Sequence, residues 1–74
     1  MPDKILISFG NKVRTLRKTQ GLAQEELADL AGLDRSYMGR VERGEANITL
    51  LKLYQISKAL DVSPALFFQE INTK

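Results

Sequence analysis

Seventy-four residues, 43% of them hydrophobic, allow one domain at most, with a small core and a net stability of ~3–5 kcal/mol. There is no Cys and no His, which excludes disulfides, thiolate metal sites and imidazole chemistry. The net charge of +2 is too small to imply a nucleic-acid partner by itself.

The placement of the charges says more than their sum. All five arginines lie between Arg14 and Arg43, and Lys12, Arg14, Arg17 and Lys18 form a run without an acid. Glu25, Glu26 and Asp29 cluster just after it, so the molecule is polarised. No apolar run reaches the length of a membrane span. The opening MPDKILISFG lacks the apolar core and small-residue cleavage site of a signal peptide. The expectation is a single domain over 1–74, cytoplasmic, with no membrane partner.

The first helix is expected over Ile5 to Gln20, where Ile5, Phe9, Val13 and Leu16 recur at helical spacing. Gly10 weakens its first turn, and Gly21 ends it. Lys12, Arg14, Arg17 and Lys18 read mostly as a solvated outer face, with one or two able to reach phosphate. The second helix runs from Leu22 to Gly32, with Leu27 and Ala31 on one face and Ala28 where crossing helices touch closely. Ala23 at its N-cap brings no side-chain oxygen, at a cost of about 1 kcal/mol. Glu25 and Glu26 suit the positive end of the helix dipole. Gln24, in the first turn, either reaches a phosphate or a neighbouring recognition side chain, or is merely solvated.

Gly32 stands where a helix end needs a left-handed residue, Leu33 plugs the corner, and Asp34 caps a third helix. Met38 and Val41 turn inward, which leaves Arg35, Ser36, Gly39, Arg40 and Arg43 on the opposite face. Arginine can bind guanine O6 and N7 by two parallel hydrogen bonds and also grips phosphate. Ser36 can donate or accept. Gly39 would let a groove wall approach closely. Two short helices joined in this way have the spacing of a helix-turn-helix, whose second helix enters the DNA major groove.

Gly44 closes the third helix. Asn47, in the following loop, either donates to a phosphate or satisfies the turn backbone. Thr49 caps a fourth helix with Leu50, Leu53, Ile56, Ala59 and Leu60 as its buried stripe. Ser63 and Pro64 open a short fifth helix ending at Phe68, and Asn72 to Lys74 read as a frayed tail. One regularity ties these starts together. Leu22 and Leu27, Leu33 and Met38, Ile48 and Leu53, and Val62 and Phe67 each stand in the register of a hydrophobic staple. Leu66, Phe67 and Phe68 cannot all face one small core, so they are assigned to a dimer interface. The alternative folds both rings over the first helix.

The motif Gln24-Glu25-x-Leu27-Ala28, then Ala31-Gly32-Leu33, Tyr37-Met38 and Val41-Glu42-Arg43-Gly44, with Asn47 and Leu50, resembles the Cro/repressor-type (XRE) helix-turn-helix family. Within it, the chain looks most like the controller proteins of bacterial restriction–modification systems. The resemblance implies an all-α, compact, lambda-repressor-like domain of five helices that acts as a homodimer. It implies that Arg35, Ser36 and Arg40 read base edges in double-stranded DNA. Gln24, Tyr37, Arg43 and Asn47 would anchor to the backbone, and the fourth and fifth helices would form the dimer face. Glu42, acidic beside that surface, is expected to pair with a nearby arginine.

The expected function is a sequence-specific transcription regulator on a palindromic operator, autoregulating if the controller resemblance holds. The rival is an antitoxin or interaction module that neutralises a partner through the surface near Phe67 and Phe68. An enzyme is the weakest reading: no phosphate loop or metal-ligand cluster is present, and no cofactor is expected. Activation would require a contact with RNA polymerase, and no residue identifies itself as that contact.

Overall fold

The computed structural model describes residues 3–69 and is all helical over them. The elements are α1 (Lys4–Thr19), α2 (Gln24–Ala31), α3 (Arg35–Glu42), α4 (Leu50–Ala59) and a 3-10 turn, Pro64–Phe68. The expected fifth α-helix is this 3-10 turn. Five residues opened by a proline are too few to repeat the α pattern, and Leu66 N–H reaches back three residues to the Ser63 carbonyl at 3.0 Å. The expected frayed tail, Asn72 to Lys74, lies outside the described residues.

Each of the four helices stops by the same device. The backbone turns left-handed at Gly21, Gly32, Gly44 and Asp61, with φ of 74°, 71°, 74° and 58°. The next residue's N–H then bonds a carbonyl five residues back. These bonds run from Leu22 to Arg17, Leu33 to Ala28, Glu45 to Arg40 and Val62 to Ser57, at 3.0, 2.9, 2.8 and 3.0 Å. At three of the four ends that same residue is apolar and precedes the next N-cap. Leu22, Leu33 and Val62 therefore close one helix and pin the start of the next. The expected N-caps Ala23, Asp34, Thr49 and Ser63 all hold. Asp3 adds a cap for α1, its carboxylate accepting from Ile5 N–H at 2.8 Å.

The core draws on every element: Phe9 and Val13 from α1, Leu27 and Ala28 from α2, Met38 and Val41 from α3, and Leu53, Ile56 and Leu60 from α4's end of the chain. Phe67 closes it, fully buried with its ring centroid 4.8 Å from that of Phe9. Two members of the expected stripes stay outside. Ile5 is exposed at the open end of α1. Leu50, in the first turn of α4, is 81% exposed because no other described element covers that turn. Gly10 proves to be where α1 crosses α3. A Cβ there would overlap the Val41 carbonyl oxygen and stand 2.7 Å from that of Glu42. The glycine that weakens the first turn is what lets the two helices meet.

Candidate nucleic-acid interface

α2 and α3 pack on each other across Gly32, with α1 against α3 and α4 against α2. Met38 and Val41 are buried, so α3 presents its opposite face outward. Arg35, Ser36, Arg40 and Arg43 are exposed there. Gly39 is buried, contrary to its expected role as a gap for the groove wall. The space where its Cβ would stand is covered by Arg43 Nη1 at 3.1 Å and Gln24 Oε1 at 3.3 Å. Gly39 thus makes room for two of the protein's own candidate contacts and brings them together.

Beneath this face sits a buried carboxylate. Glu42 accepts from Arg17 Nε at 2.7 Å and Nη2 at 3.0 Å, from Arg14 Nε at 3.5 Å and from Gln24 Nε2 at 3.1 Å. Burial alone would push its carboxyl up. Hydrogen bonds from Arg17, Gln24 and Arg14, with the Arg17 charge, outweigh this and hold it below the ordinary value. The Glu42 hydrogen bond in turn raises Arg17 further. Arg17 also donates through Nη1 to the Leu22 carbonyl at 2.9 Å, and Arg14 to that of Glu42 at 3.2 Å. Glu42 does pair with arginine, but with arginines of α1. Arg14 and Arg17 therefore leave the solvated face expected for them and lock α1, α2 and α3 together. Their spacing of three places both on one side of α1, the signal that the expectation passed over.

The surface residues are held more loosely. Arg35 Nη2 donates to the Asp29 carboxylate of α2 at 3.2 Å, both side chains largely exposed. Such a pair contributes roughly 0–1 kcal/mol to stability. The Ser36 hydroxyl donates to the Asp34 carboxylate, which also accepts from the N–H groups of Ser36 at 3.1 Å and Tyr37 at 3.3 Å. The Ser36 hydroxyl, ahead of these N–H groups, holds Asp34 below the usual carboxylate range. Ser36 is thus part of the cap of α3 before it is anything else. Tyr37 is half-buried, and burial pushes its phenol up. Lys52 of α4 sits 4.7 Å from its ring centroid and Arg40 5.9 Å, a cation–π pairing that the sequence did not suggest. Arg43 Nε donates to Glu45 at 3.1 Å, while Arg40 has no acidic partner among the described residues. Asn47 is exposed, and its side chain makes no hydrogen bond among the described residues.

The assigned dimer triplet divides. Phe67 belongs to the core and is not available to a partner, because it is fully buried with its ring packed at a 59° tilt against Phe9. Leu66 is half-buried and Phe68 exposed. Large apolar side chains are also open at Leu50, Leu51 and Tyr54 of α4, at 81, 68 and 55% exposure beside 53% for Phe68, and away from α4 at Ile5, Ile7 and Leu30. Leu50, Leu51 and Tyr54 line one shallow apolar depression with Leu53 and Pro64.

A reading helix with outward arginines, set across a left-handed glycine from a supporting helix, defines a helix-turn-helix protein. The helix-turn-helix family model HTH_3 matches residues 13–67, and the chain belongs to this XRE-type family, among its restriction–modification controller proteins. It is 40% identical over 70 residues to the control protein C.MunI of a Mycoplasma species, across 93% of this chain and 95% of that one. It is 49% identical over 55 residues to the control protein C.SmaI of Serratia marcescens, across 74% of this chain and 66% of that one. Its fold matches the crystal structure of the controller protein C.AhdI from Aeromonas hydrophila with a TM-score of 0.83 and 49% identity, covering 85% of this chain and 96% of that one. The controller protein C.Esp1396I, as a tetramer on its natural 35-base-pair operator, matches with a TM-score of 0.83 and 34% identity, covering 90% and 88%.

Proposed function

We propose that this chain is the DNA-binding regulator of a restriction–modification system, acting as a homodimer on a palindromic operator. The observation that carries the reading is the exposed face of α3, where Arg35, Ser36, Arg40 and Arg43 stand clear of the core. The likeness to C.Esp1396I, which binds its operator, supports it. In this reading α3 enters a major groove. Arg35, Ser36 and Arg40 contact base edges, and Gln24, Tyr37, Arg43 and Asn47 hold the backbone. Gln24 is half-buried, its Nε2 donating inward to Glu42, which leaves its Oε1, over Gly39, as the amide atom not held by Glu42; Arg43 passes over the same glycine and is exposed.

Leu50, Leu51, Tyr54 and Phe68 would meet their copies across a two-fold axis, setting half-sites about one turn (~34 Å) apart. The whole chain, 1–74, is one such domain, works in the cytoplasm and has no catalytic role. In this reading the protein's own concentration is the control variable. A second dimer on an adjacent site would give a tetramer such as that of C.Esp1396I. Activation would run through a contact with RNA polymerase. The relatives favour this regulator over the antitoxin alternative.

The test is a fluorescence-anisotropy titration on the DNA upstream of the protein's own gene, against scrambled DNA of equal length, at two salt concentrations. The expected result is a preference of ~4 kcal/mol or more for the upstream duplex. Equal, steeply salt-sensitive binding to both would leave only the phosphate term and count against autoregulation.

A further inference from the structure

Arg35 is the first residue of α3, and its charge is met from an unexpected side. The acid beside it in sequence, Asp34, caps the helix, its Oδ2 taking two N–H groups and the Ser36 hydroxyl, and it makes no ion pair with Arg35 among the described residues. The other acids near this face are also taken, Glu45 by Arg43 and Glu42 by Arg17. Asp29, across the turn on α2, is the counter-ion of Arg35 at 3.2 Å.

We propose that Asp29 is a specificity-determining residue. It holds one edge of the Arg35 guanidinium, turns the other edge to a base, and withholds Arg35 from phosphate. This rests on the reading of Arg35 as a base contact. A guanidinium carries five N–H groups in a planar fork, and Asp29 accepts from Nη2 only. Two parallel N–H groups remain, which is what guanine O6 and N7 require.

Phosphates stand at every position of every duplex and carry no sequence information. An unrestrained arginine on a flexible stem can settle on them anywhere, which strengthens binding to all DNA alike. A carboxylate within reach of that guanidinium opposes this in two ways. It competes with phosphate as acceptor, and it repels phosphate by its own charge. A guanine edge is uncharged and meets only the first, and the free edge of the fork avoids even that. Asp29 thus weakens binding to random sequence more than binding to the operator.

The experiment uses the whole protein and an operator that the wild type selects from a random-sequence pool. Anisotropy titrations on this operator and on a scrambled duplex compare the wild type, Asp29→Asn, Arg35→Ala and the double variant. Asp29→Asn is expected to tighten scrambled binding by about three- to tenfold and operator binding by less, so that the preference falls. Asp29→Glu should restore most of it. In the Arg35→Ala background, Asp29→Asn should change both duplexes by the same factor, because the restrained group is gone. An equal change on both duplexes in the wild-type background would overturn the proposal, as a mere charge effect. So would an undiminished fall in preference without Arg35. A selection that returns no preferred duplex overturns the regulator reading along with this one. An Arg35→Ala variant that keeps every base preference removes Arg35 from the readers and overturns this proposal alone.

Discussion

At Glu42, the folded carboxyl titrates below its ordinary value of 4.5. The unfolded chain therefore binds its proton first as pH falls. The stability from this group is complete above about pH 4.5 and drains away as pH drops through the lower, folded value. Asp34 acts with the same sign. Urea midpoints should stay level from neutral pH to about pH 5 and fall below that. Glu42→Gln leaves Arg17 facing a neutral amide, and should cost about 3 kcal/mol or more at pH 7 while flattening the acid slope. An unchanged slope in that variant would mean that other carboxylates set it. Arg35→Ala should instead leave stability within ~0.5 kcal/mol, since its pair is exposed. Its loss should appear in binding, as about 1–3 kcal/mol at the operator and a relaxed preference at one base.

Two helix features decide the elements. Ala23 has no oxygen to offer, yet Glu26 already makes half of the capping box, its Oε1 accepting from Ala23 N–H at 2.7 Å. Ala23→Ser completes the other half. It should add about 0.5–1 kcal/mol, a rise in Tm of roughly 4 °C by calorimetry. Gly10→Ala has the opposite sign. Helix propensity alone would favour it by about 1 kcal/mol. The new methyl, however, meets backbone carbonyls of Val41 and Glu42, which cannot swing aside. Overpacking of this kind costs about 1–3 kcal/mol, so net destabilisation is expected, with α1 displaced from α3. A more stable Gly10→Ala would show that the crossing is looser than its geometry.

At the scale of the whole molecule, two adjacent phenylalanines lie on opposite sides of the fold's surface. Phe67 fills the core and Phe68 lies 53% exposed. Phe67→Ala should cost about 3–5 kcal/mol, comparable to the stability of a domain this small, and the helical circular dichroism should collapse. Phe68→Ser or Leu51→Lys should keep that spectrum and shift the sedimentation mass from dimer towards monomer. Operator affinity should fall with it, because each half-site is then bound alone. A Leu51→Lys variant that remained dimeric would move the two-fold face away from α4.

Local patterns settled the four α-helices and the caps Ala23, Asp34, Thr49 and Ser63, though not the 3-10 form of Pro64–Phe68. A left-handed glycine, a cap and a staple each need only a few neighbouring residues, so Gly32, Asp34 and the Leu33–Met38 register stand in the sequence itself. The outward face of α3 followed, because Met38 and Val41 fix which side is inside. What only the tertiary structure decided involves residues far apart in the chain. Arg17 reaches Glu42 across 25 positions, the Phe9 ring packs tilted against that of Phe67, and Gly10 takes the backbone of α3. Leu50 fits the apolar stripe of α4 by spacing and is nonetheless exposed. Periodicity gives the direction in which a side chain points, but burial requires another element on that side. Only the packing of the helices shows where that element is missing.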